Sequence, residues 1–323
     1  ALVRAGERRS DDARELLASA LELARRERDA ELEAEALRGQ GIVAADSRDL
    51  AGGLEMLRAA LAIRRRLGDR RSEAMDLANI AIVLRRLGRL QESAEAGQEA
   101  AAAHREVGNP LSLGSTLLGL AMTQHTQGLA AEAELTYRAA LEVQRRVGNR
   151  REEGVTVGNR GVALQDLGRL PEAEEALREG VAIAAEVGAS QVECVHSFQL
   201  ADVLLDAGHP EQARPHLDRA MELAERFGAR SFVASFQVLR SALDLRDGCV
   251  EAAAEALDAA RPVIDELGDA ADKTKLACQT GWLALARGDT ESAREALRVA
   301  REIGGAPGAS AQRAIDQLEA ALR

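Results

Sequence analysis

The chain has 323 residues, of which 46% are apolar but only 2% aromatic, and its 42 basic and 53 acidic side chains give a net charge of −11. An acidic chain is a poor match for phosphate backbones, and so few aromatic rings cannot support base stacking, so we expect no nucleic-acid partner. The longest mainly apolar stretch, Leu77 to Leu84, is far shorter than the roughly 20 residues of a membrane span, so we expect no membrane partner either.

Glycines recur along the chain with a fixed spacing of 20 residues. The segments between them are rich in Ala, Leu, Glu and Arg, which favour helices, and glycine ends a helix in the left-handed conformation at little steric cost. Each segment is therefore predicted to be one helix of about 18 residues followed by a tight turn. The periodic glycines are Gly68, Gly88, Gly108, Gly128, Gly148, Gly168, Gly188, Gly208, Gly228, Gly248, Gly268 and Gly288.

Two types of helix alternate, so the full period is 40 residues. The second-type helices carry a small, a large and a small residue at successive spacings of four and three, from Ala13 and Ala20 in the first to Ala293 and Ala300 in the last. These spacings put the three positions on one helix face, where small residues allow close helix approach and the large residue fills the remaining space. The large residues are Leu17, Leu57, Tyr137, Leu177, Leu217, Leu257 and Leu297, with Gly97 as the exception.

The first-type helices carry an apolar stripe, such as Leu77, Ile80, Ala81 and Leu84. Because no segment shows sustained alternation of apolar and polar residues, we predict an all-α fold without a sheet. One helix departs from the pattern, with Arg240 at an expected core position. Its apolar residues are shifted by one position, which predicts that this helix is rotated; they are Phe232, Phe236, Leu239 and Leu243.

Three segments, Gly88 to Ala94, Tyr137 to Leu141 and Gly168 to Ala173, resemble the turn and second helix of tetratricopeptide repeats. Asn79-Ile80-Ala81 and Asn159-Arg160-Gly161 are similar to the Asn-Leu-Gly segment of the family's first helix. The 40-residue period is closest to the long repeats of kinesin light chains and of bacterial multidomain regulators. The resemblance implies a right-handed α-solenoid of antiparallel helix pairs, with the first-type helices lining its concave side.

The predicted organisation is a partial leading repeat over residues 1–28, seven repeats over 29–308 and a capping helix over 309–323. The leading helix, from about residue 10 to 27, has second-type features and no first-type partner, so we expect further repeats or another domain upstream. Ala314, Ile315, Leu318 and Leu322 form one apolar face, as a natural C-terminal cap would. The repeats are predicted to span 29–68, 69–108, 109–148, 149–188, 189–228, 229–268 and 269–308.

The sequence offers little for catalysis. It contains no phosphate-binding Gly-Lys-Ser/Thr loop, no G-x-G-x-x-G, no H-E-x-x-H and no G-x-S-x-G, and its histidines show no metal-binding spacing, so we predict no enzyme, no metal and no cofactor. Cys194, Cys249 and Cys278 form an odd, widely spaced set, which indicates a reducing compartment and a cytoplasmic location. Cys194 and Cys278 are interpreted as small packing residues.

Candidate binding residues come from mapping the first-type helices onto the concave face that the resemblance implies. Asn79, Asn159, Gln199 and Gln279 recur at multiples of 40 residues, and such amides can pair with an extended peptide backbone or, alternatively, with neighbouring helices or water. A second column along the first-type helices is apolar in the early repeats and mixed in character in the later ones. Two arginines lie near the end of one first-type helix, where they could clamp a carboxylate or remain solvated. The candidates from the second column are Met122, Asp202 and Trp282, Phe198 comes from an adjacent column, and the two arginines are Arg85 and Arg86.

The leading hypothesis is a non-catalytic scaffold that binds a protein or peptide segment, as the interaction or regulatory arm of a larger bacterial signalling protein. The segment could belong to another domain of the same polypeptide. Two alternatives remain open: a small-molecule sensor domain of a regulatory ATPase or kinase, and a self-assembly module. An enclosed pocket would favour the sensor, and an open groove would favour the peptide binder.

Overall fold

The computed structural model describes residues 2–303 and 309–323. Within these ranges the chain forms sixteen helices and no strand, which confirms the all-α prediction and the predicted number of helices. None of the helices in these ranges is long and apolar enough to cross a lipid bilayer. The helices belong to two compact units, Ala1–Glu152 and Glu153–Arg323, and each unit is described by itself.

The first unit is an array of antiparallel helix pairs. Each first-type helix packs against the second-type helix that follows it, and successive first-type helices also contact one another. The apolar core that two successive pairs share contains Leu57, Leu61, Leu77 and Leu84, all buried. The helices are α1 (Leu2–Glu27), α2 (Ala30–Asp46), α3 (Leu50–Leu67), α4 (Arg70–Arg86), α5 (Leu90–Glu106), α6 (Pro110–Thr126) and α7 (Ala130–Val147).

The second unit continues the same alternation of helix types and adds a closing helix. Its first helix begins at Arg150, so that helix's first three residues are assigned to the first unit. The helices are α8 (Arg150–Asp166), α9 (Leu170–Glu186), α10 (Ser190–Asp206), α11 (Pro210–Phe227), α12 (Arg230–Arg246), α13 (Val250–Leu267), α14 (Ala270–Ala286), α15 (Thr290–Ile303) and α16 (Ala309–Ala321).

In the described ranges, the turns between helices contain the predicted left-handed glycine in all but three places. Eleven of the twelve periodic glycines take a positive φ. At Gly88 the backbone N–H donates to Arg85 and that of Arg89 donates to Leu84, the paired bonds of a Schellman motif. Gly268 is the exception, because its φ of −73° and ψ of 144° are extended. The two early turns without glycine place Arg28 and Arg48 in the left-handed region instead.

The second-type helices pack as their columns predict. From α3 onward, both small columns and the large column between them are buried. The large side chains include Leu57, Tyr137 and Leu177, each at most 1% exposed. In α12 the predicted displacement of the core face is met only in part, because Phe236, Leu239 and Leu243 are buried and Arg240 is exposed, but Phe232 of the predicted apolar set is 45% exposed.

Helices α1 and α16 lie at the two ends of the chain. Helix α1 begins at Leu2, well before the predicted start near residue 10. Helix α16 packs its apolar face, with Ile315 and Leu318 buried, against Cys278 of α14 and Leu297 of α15. The predicted boundary at residue 308 lies outside the described residues. The division into seven repeats and the handedness of a superhelix stay predictions.

Candidate functional site

The first-type helices keep one face free of the core in both units. Asn79, Asn159, Gln199 and Gln279 are half-buried, and each has one buried neighbour in the chain. None of these four amides hydrogen-bonds to another residue in the described part of the chain, and the side-chain oxygen of Gln199 is buried without a partner. The amides therefore have unused donors and acceptors on this face, which is the property that a backbone-binding ladder needs.

A cavity of about 500 Å³ lies in the second unit, and we call it the Trp282 cavity. Helices α10, α12 and α14 form most of its wall, and α16 closes one side with Ser310, Arg313 and Gln317. The residues that carry its chemistry are Phe198, Asp202, Asp206, Arg246, Lys275, Gln279 and Trp282. Apolar, aromatic and oppositely charged groups thus share one pocket, as in sites that bind a ligand with several functional groups.

The acidic side of the Trp282 cavity is organised by hydrogen bonds from two directions. The amide nitrogen of Gln165 donates to Asp202 at 3.2 Å and to Asp206 at 3.0 Å. From α16, the Arg313 guanidinium lies 3.0 Å from the Asp166 carboxylate and 3.8 Å from that of Asp206. The closing helix therefore reaches the ends of α8 and α10 through one side chain.

The carboxyl group of Asp206 has a pKa above its ordinary value. Burial raises its pKa, and the neighbouring Asp202 carboxylate raises it further, whereas the Gln165 hydrogen bond and the charges of Arg313 and Lys275 lower it. Like charges held close together share protons more readily than isolated ones. Arg313 and Lys275 compensate only part of the negative charge of Asp202 and Asp206. A hydrogen-bond donor of a ligand can therefore bind to these two carboxylates.

The apolar side of the Trp282 cavity rests on stacked rings. Phe198 stacks on Phe236 with ring centroids 4.4 Å apart, and Phe232 lies 6.1 Å from Phe236 on the same helix. Phe236 is buried, whereas Phe198 is half-buried and lines the cavity. Buried Phe236 thus fixes the ring that a ligand would meet.

The first unit holds a second cavity of about 450 Å³, which we call the Gly97 cavity. It lies between α4, α5 and α6, and Asn79, Arg85 and Met122 are among its lining residues. Its wall is mainly apolar, with Met75, Ile82, Leu118 and Leu120 alongside buried His104.

The predicted binding residues divide into three groups. Phe198, Asp202, Gln279 and Trp282 line the Trp282 cavity, and Asn79, Arg85 and Met122 line the Gly97 cavity. Asn159, Gln199 and Arg86 line neither, and Arg86 already forms an ion pair with Asp46 at 3.6 Å. A binding role for any of these residues stays a prediction.

Sequence reasoning missed several cavity residues. Arg313 belongs to the closing helix, outside the 40-residue columns, so its position depends on how that helix packs. His104 had a usable signal, because Arg64 and Gln144 stand 40 residues to either side of it and all three are buried polar residues.

Two of the three cysteines are buried, and the possible metal ligands of the described ranges are dispersed. No group of three or more His, Cys, Asp or Glu residues in the described ranges could hold a metal ion. Burial raises the pKa of Cys194 and raises that of Cys278 to about 12, so both thiols are protonated at neutral pH. Both fill buried positions, as the sequence interpretation expected.

Residues 72–146 and 112–186 match the tetratricopeptide repeat family model. This match covers the segments whose motifs suggested the family, and it confirms the resemblance. No match to a curated protein was found.

Solved structures with the same fold include bacterial regulatory proteins. The apo form of RapI has a TM-score of 0.72 at 15% identity, over 88% of this chain and 99% of that one. The apo quorum sensor NprR from B. thuringiensis has a TM-score of 0.68 at 14% identity, over 91% and 83%. A Rap protein complexed with competence and sporulation factor has a TM-score of 0.65 at 17% identity, over 89% and 77%. At these identities the likeness shows the fold alone.

Proposed function

We propose, from the premise that the chain carries tetratricopeptide repeats, that it is a non-catalytic receptor for a peptide or protein segment. It would serve as the regulatory arm of a larger bacterial signalling protein. We also propose a cytoplasmic location, because the three free cysteines, one of them exposed, would persist in a reducing compartment.

The Trp282 cavity is the observation that carries this proposal. A peptide offers apolar side chains, a backbone with donors and acceptors, and charged groups. The cavity presents a counterpart to each: Trp282 and Phe198, the Gln279 amide, and charges of both signs from Asp202, Asp206, Arg246 and Lys275. Aromatic side chains in a partly enclosed pocket are the usual anchors of such interfaces.

The structural neighbours support a peptide as the ligand. NprR is described as a quorum sensor, and one Rap protein was crystallised with competence and sporulation factor. Another, a conjugation gene regulator, was crystallised with the Phr* peptide. These ligands belong to those proteins, and for this chain we propose only the class.

Selection from a random peptide library would test the proposal. Peptides that bind the intact chain are expected to lose about tenfold or more in affinity to Trp282→Ala, because removing a buried aromatic anchor costs on the order of 2 kcal/mol. Asp202→Asn should weaken binding of those selected peptides that carry a positive charge. Fluorescence polarisation of labelled peptides gives the dissociation constants.

Asp218→Asn is the matched control, because Asp218 lies exposed on α11, away from the cavity. It removes one negative charge from the same unit and should leave binding unchanged. A library that yields no binder, or binders unaffected by Trp282→Ala in a folded protein, contradicts the proposal.

A further inference from the structure

The Gly97 cavity exists because one side chain is missing from a regular column. Leu57, Tyr137, Leu177, Leu217 and Leu257 fill the corresponding position in other second-type helices, and all are buried. At Gly97 a Cβ atom would meet Leu120 no closer than 3.5 Å, which is an ordinary van der Waals distance. The space that a larger side chain would occupy therefore remains open.

His104 gives this cavity a buried polar group without a protein partner. It is 1% exposed, and neither ring nitrogen forms a hydrogen bond. The equivalent residues 40 positions away do have partners. Arg64 lies 3.0 Å from Glu35 and 3.2 Å from Asp69, and Gln144 lies 3.4 Å from both the Gly114 carbonyl and Glu152.

The unpartnered imidazole defines what the cavity can recognise. Burial lowers the pKa of His104, so the ring is neutral at pH 7 and offers one donor and one acceptor. A buried polar group is ordinarily hydrogen-bonded, because leaving it unpaired costs free energy. A neutral hydroxyl or amide group of a ligand would hydrogen-bond to the His104 imidazole without burying a charge beside it.

Arg85 supplies a cation at the other end of the same cavity. It lies near the end of α4, whereas His104 lies near the end of α5, and these two helices are antiparallel. Arg85 forms no ion pair or hydrogen bond with another residue in the described ranges, in contrast to Arg86. Its guanidinium is therefore available to a carboxylate, with which it can form a bidentate pair.

The walls between these two polar groups are mainly apolar, and the other polar residues of the lining are Asn79, Ser112, Ser115, Thr116 and Glu152. Met75 and Met122 contribute flexible thioethers, which contact aromatic rings favourably, and Ile82 and Leu118 complete the surface. A cavity of about 450 Å³ falls within the ordinary range of small-molecule sites.

We propose that the Gly97 cavity binds a small carboxylic acid with an apolar, aromatic-sized body and a neutral hydrogen-bonding group. The carboxylate pairs with Arg85, the neutral group bonds to His104, and the body occupies the space left by Gly97. This site lies within the first unit and is independent of peptide binding in the second.

Isothermal titration with three related probes tests the assignment. Hydroxyphenylbutyrate carries all three features, phenylbutyrate lacks the hydroxyl group, and phenylbutanol lacks the carboxylate. Hydroxyphenylbutyrate should bind best, phenylbutyrate roughly five- to tenfold more weakly, and phenylbutanol at least about tenfold more weakly than phenylbutyrate.

Three substitutions separate the contributions. Gly97→Leu restores the common residue of the column and should abolish binding of all three probes without lowering the melting temperature. Arg85→Gln should remove the advantage of the two acids over the alcohol. His104→Leu should remove the advantage of the hydroxyl group.

Arg71→Gln is the matched control, because Arg71 is exposed on α4 and does not line the cavity. It should change none of the three affinities. The proposal is overturned if the wild-type chain binds none of the probes, or if folded Gly97→Leu binds them as tightly as the wild type. Should Gly97→Leu fail to fold, equal losses of acids and alcohol in Arg85→Gln would overturn it.

Discussion

His196 lies in α10 close to two glycines, Gly158 in α8 and Gly180 in α9. Its side chain is 2% exposed, its imidazole hydrogen-bonds to the backbone of Gly180, and Nδ1 has no partner. Burial lowers the pKa of His196 to about 4. The neutral imidazole is therefore part of the packing of three helices in the second unit.

This burial predicts a loss of stability in acid. His196 binds a proton near pH 6.5 in the unfolded chain but only near pH 4 in the folded chain. Its contribution to the free energy of unfolding is therefore fully present above pH 6.5 and is lost as the pH falls from 6.5 to 4. At pH 5 the loss amounts to about 2 kcal/mol. Urea unfolding at pH 7 and pH 5 should show this difference in the wild type, and His196→Leu should reduce it by about the same amount. Equal pH dependence in both proteins would contradict the account.

The glycine at position 158 is required by the same contact. A Cβ atom there would lie 2.1 Å from Cε1 of His196, and the buried His196 ring has little room to move because Gly180 also lies close to it. Gly158→Ala is therefore expected to destabilise the chain by about 1–3 kcal/mol, as overpacking does.

Gly119→Ala is the matched comparison for Gly158→Ala. Gly119 lies inside α6, and an added Cβ would meet nothing within 4 Å. Alanine should raise stability there by about 0.5–1 kcal/mol, because it lowers the entropy lost when the helix forms. Similar effects of the two substitutions on chemical denaturation would show that the packing argument is wrong.

At the scale of elements, the turns follow from one backbone requirement. In most turns of the described chain, one residue takes a positive φ, which glycine adopts without steric cost. Arg48 takes this conformation, with φ of 70°, in the turn between α2 and α3. A side chain in this region costs about 1–2 kcal/mol.

Arg48→Gly is accordingly expected to stabilise the first unit by about 1 kcal/mol. The reverse change, Gly88→Ala, should cost a similar amount, because Gly88 has a φ of 73° and no atom near its missing Cβ. Thermal unfolding measures both effects. A lower melting temperature for Arg48→Gly would mean that contacts of the arginine, rather than the backbone, decide this turn.

Helix α16 shows that an end of the array can contribute to a site. Its apolar face packs on α14 and α15, and its Arg313 pairs with Asp166 at 3.0 Å. Because Arg313 also lines the Trp282 cavity, the closing helix both covers the core and shapes the candidate binding pocket. The cap and one wall of the candidate pocket are thus the same helix.

At the scale of the whole molecule, regular features were predictable and exceptions were not. The glycine spacing predicted the helix ends because a positive φ is a local property, and the columns predicted burial because helix faces repeat. Gly268 has an extended conformation that its place in the series did not reveal. Gly97 was visible as an exception, but the cavity beside it required the packed structure.

The candidate sites were predictable to a similar degree. Phe198 and Asp202 in α10 and Gln279 and Trp282 in α14 lie on corresponding faces of two first-type helices, and all four line one cavity. Arg313 could not be found in this way, because it comes from a separate helix. Asn159 and Gln199 occupy the predicted column but line neither cavity, since helix spacing fixes a residue's face and not the depth of the surface around it.

Hydrogen–deuterium exchange with a peptide selected on the intact chain tests the central claim most directly, namely that the exposed faces of first-type helices receive the ligand. Binding at the Trp282 cavity should slow exchange in α10, α12, α14 and α16. Exchange in α9, α11 and α13 should remain unchanged. Slower exchange confined to those second-type helices would contradict the assignment and place the binding surface on the opposite side of the array.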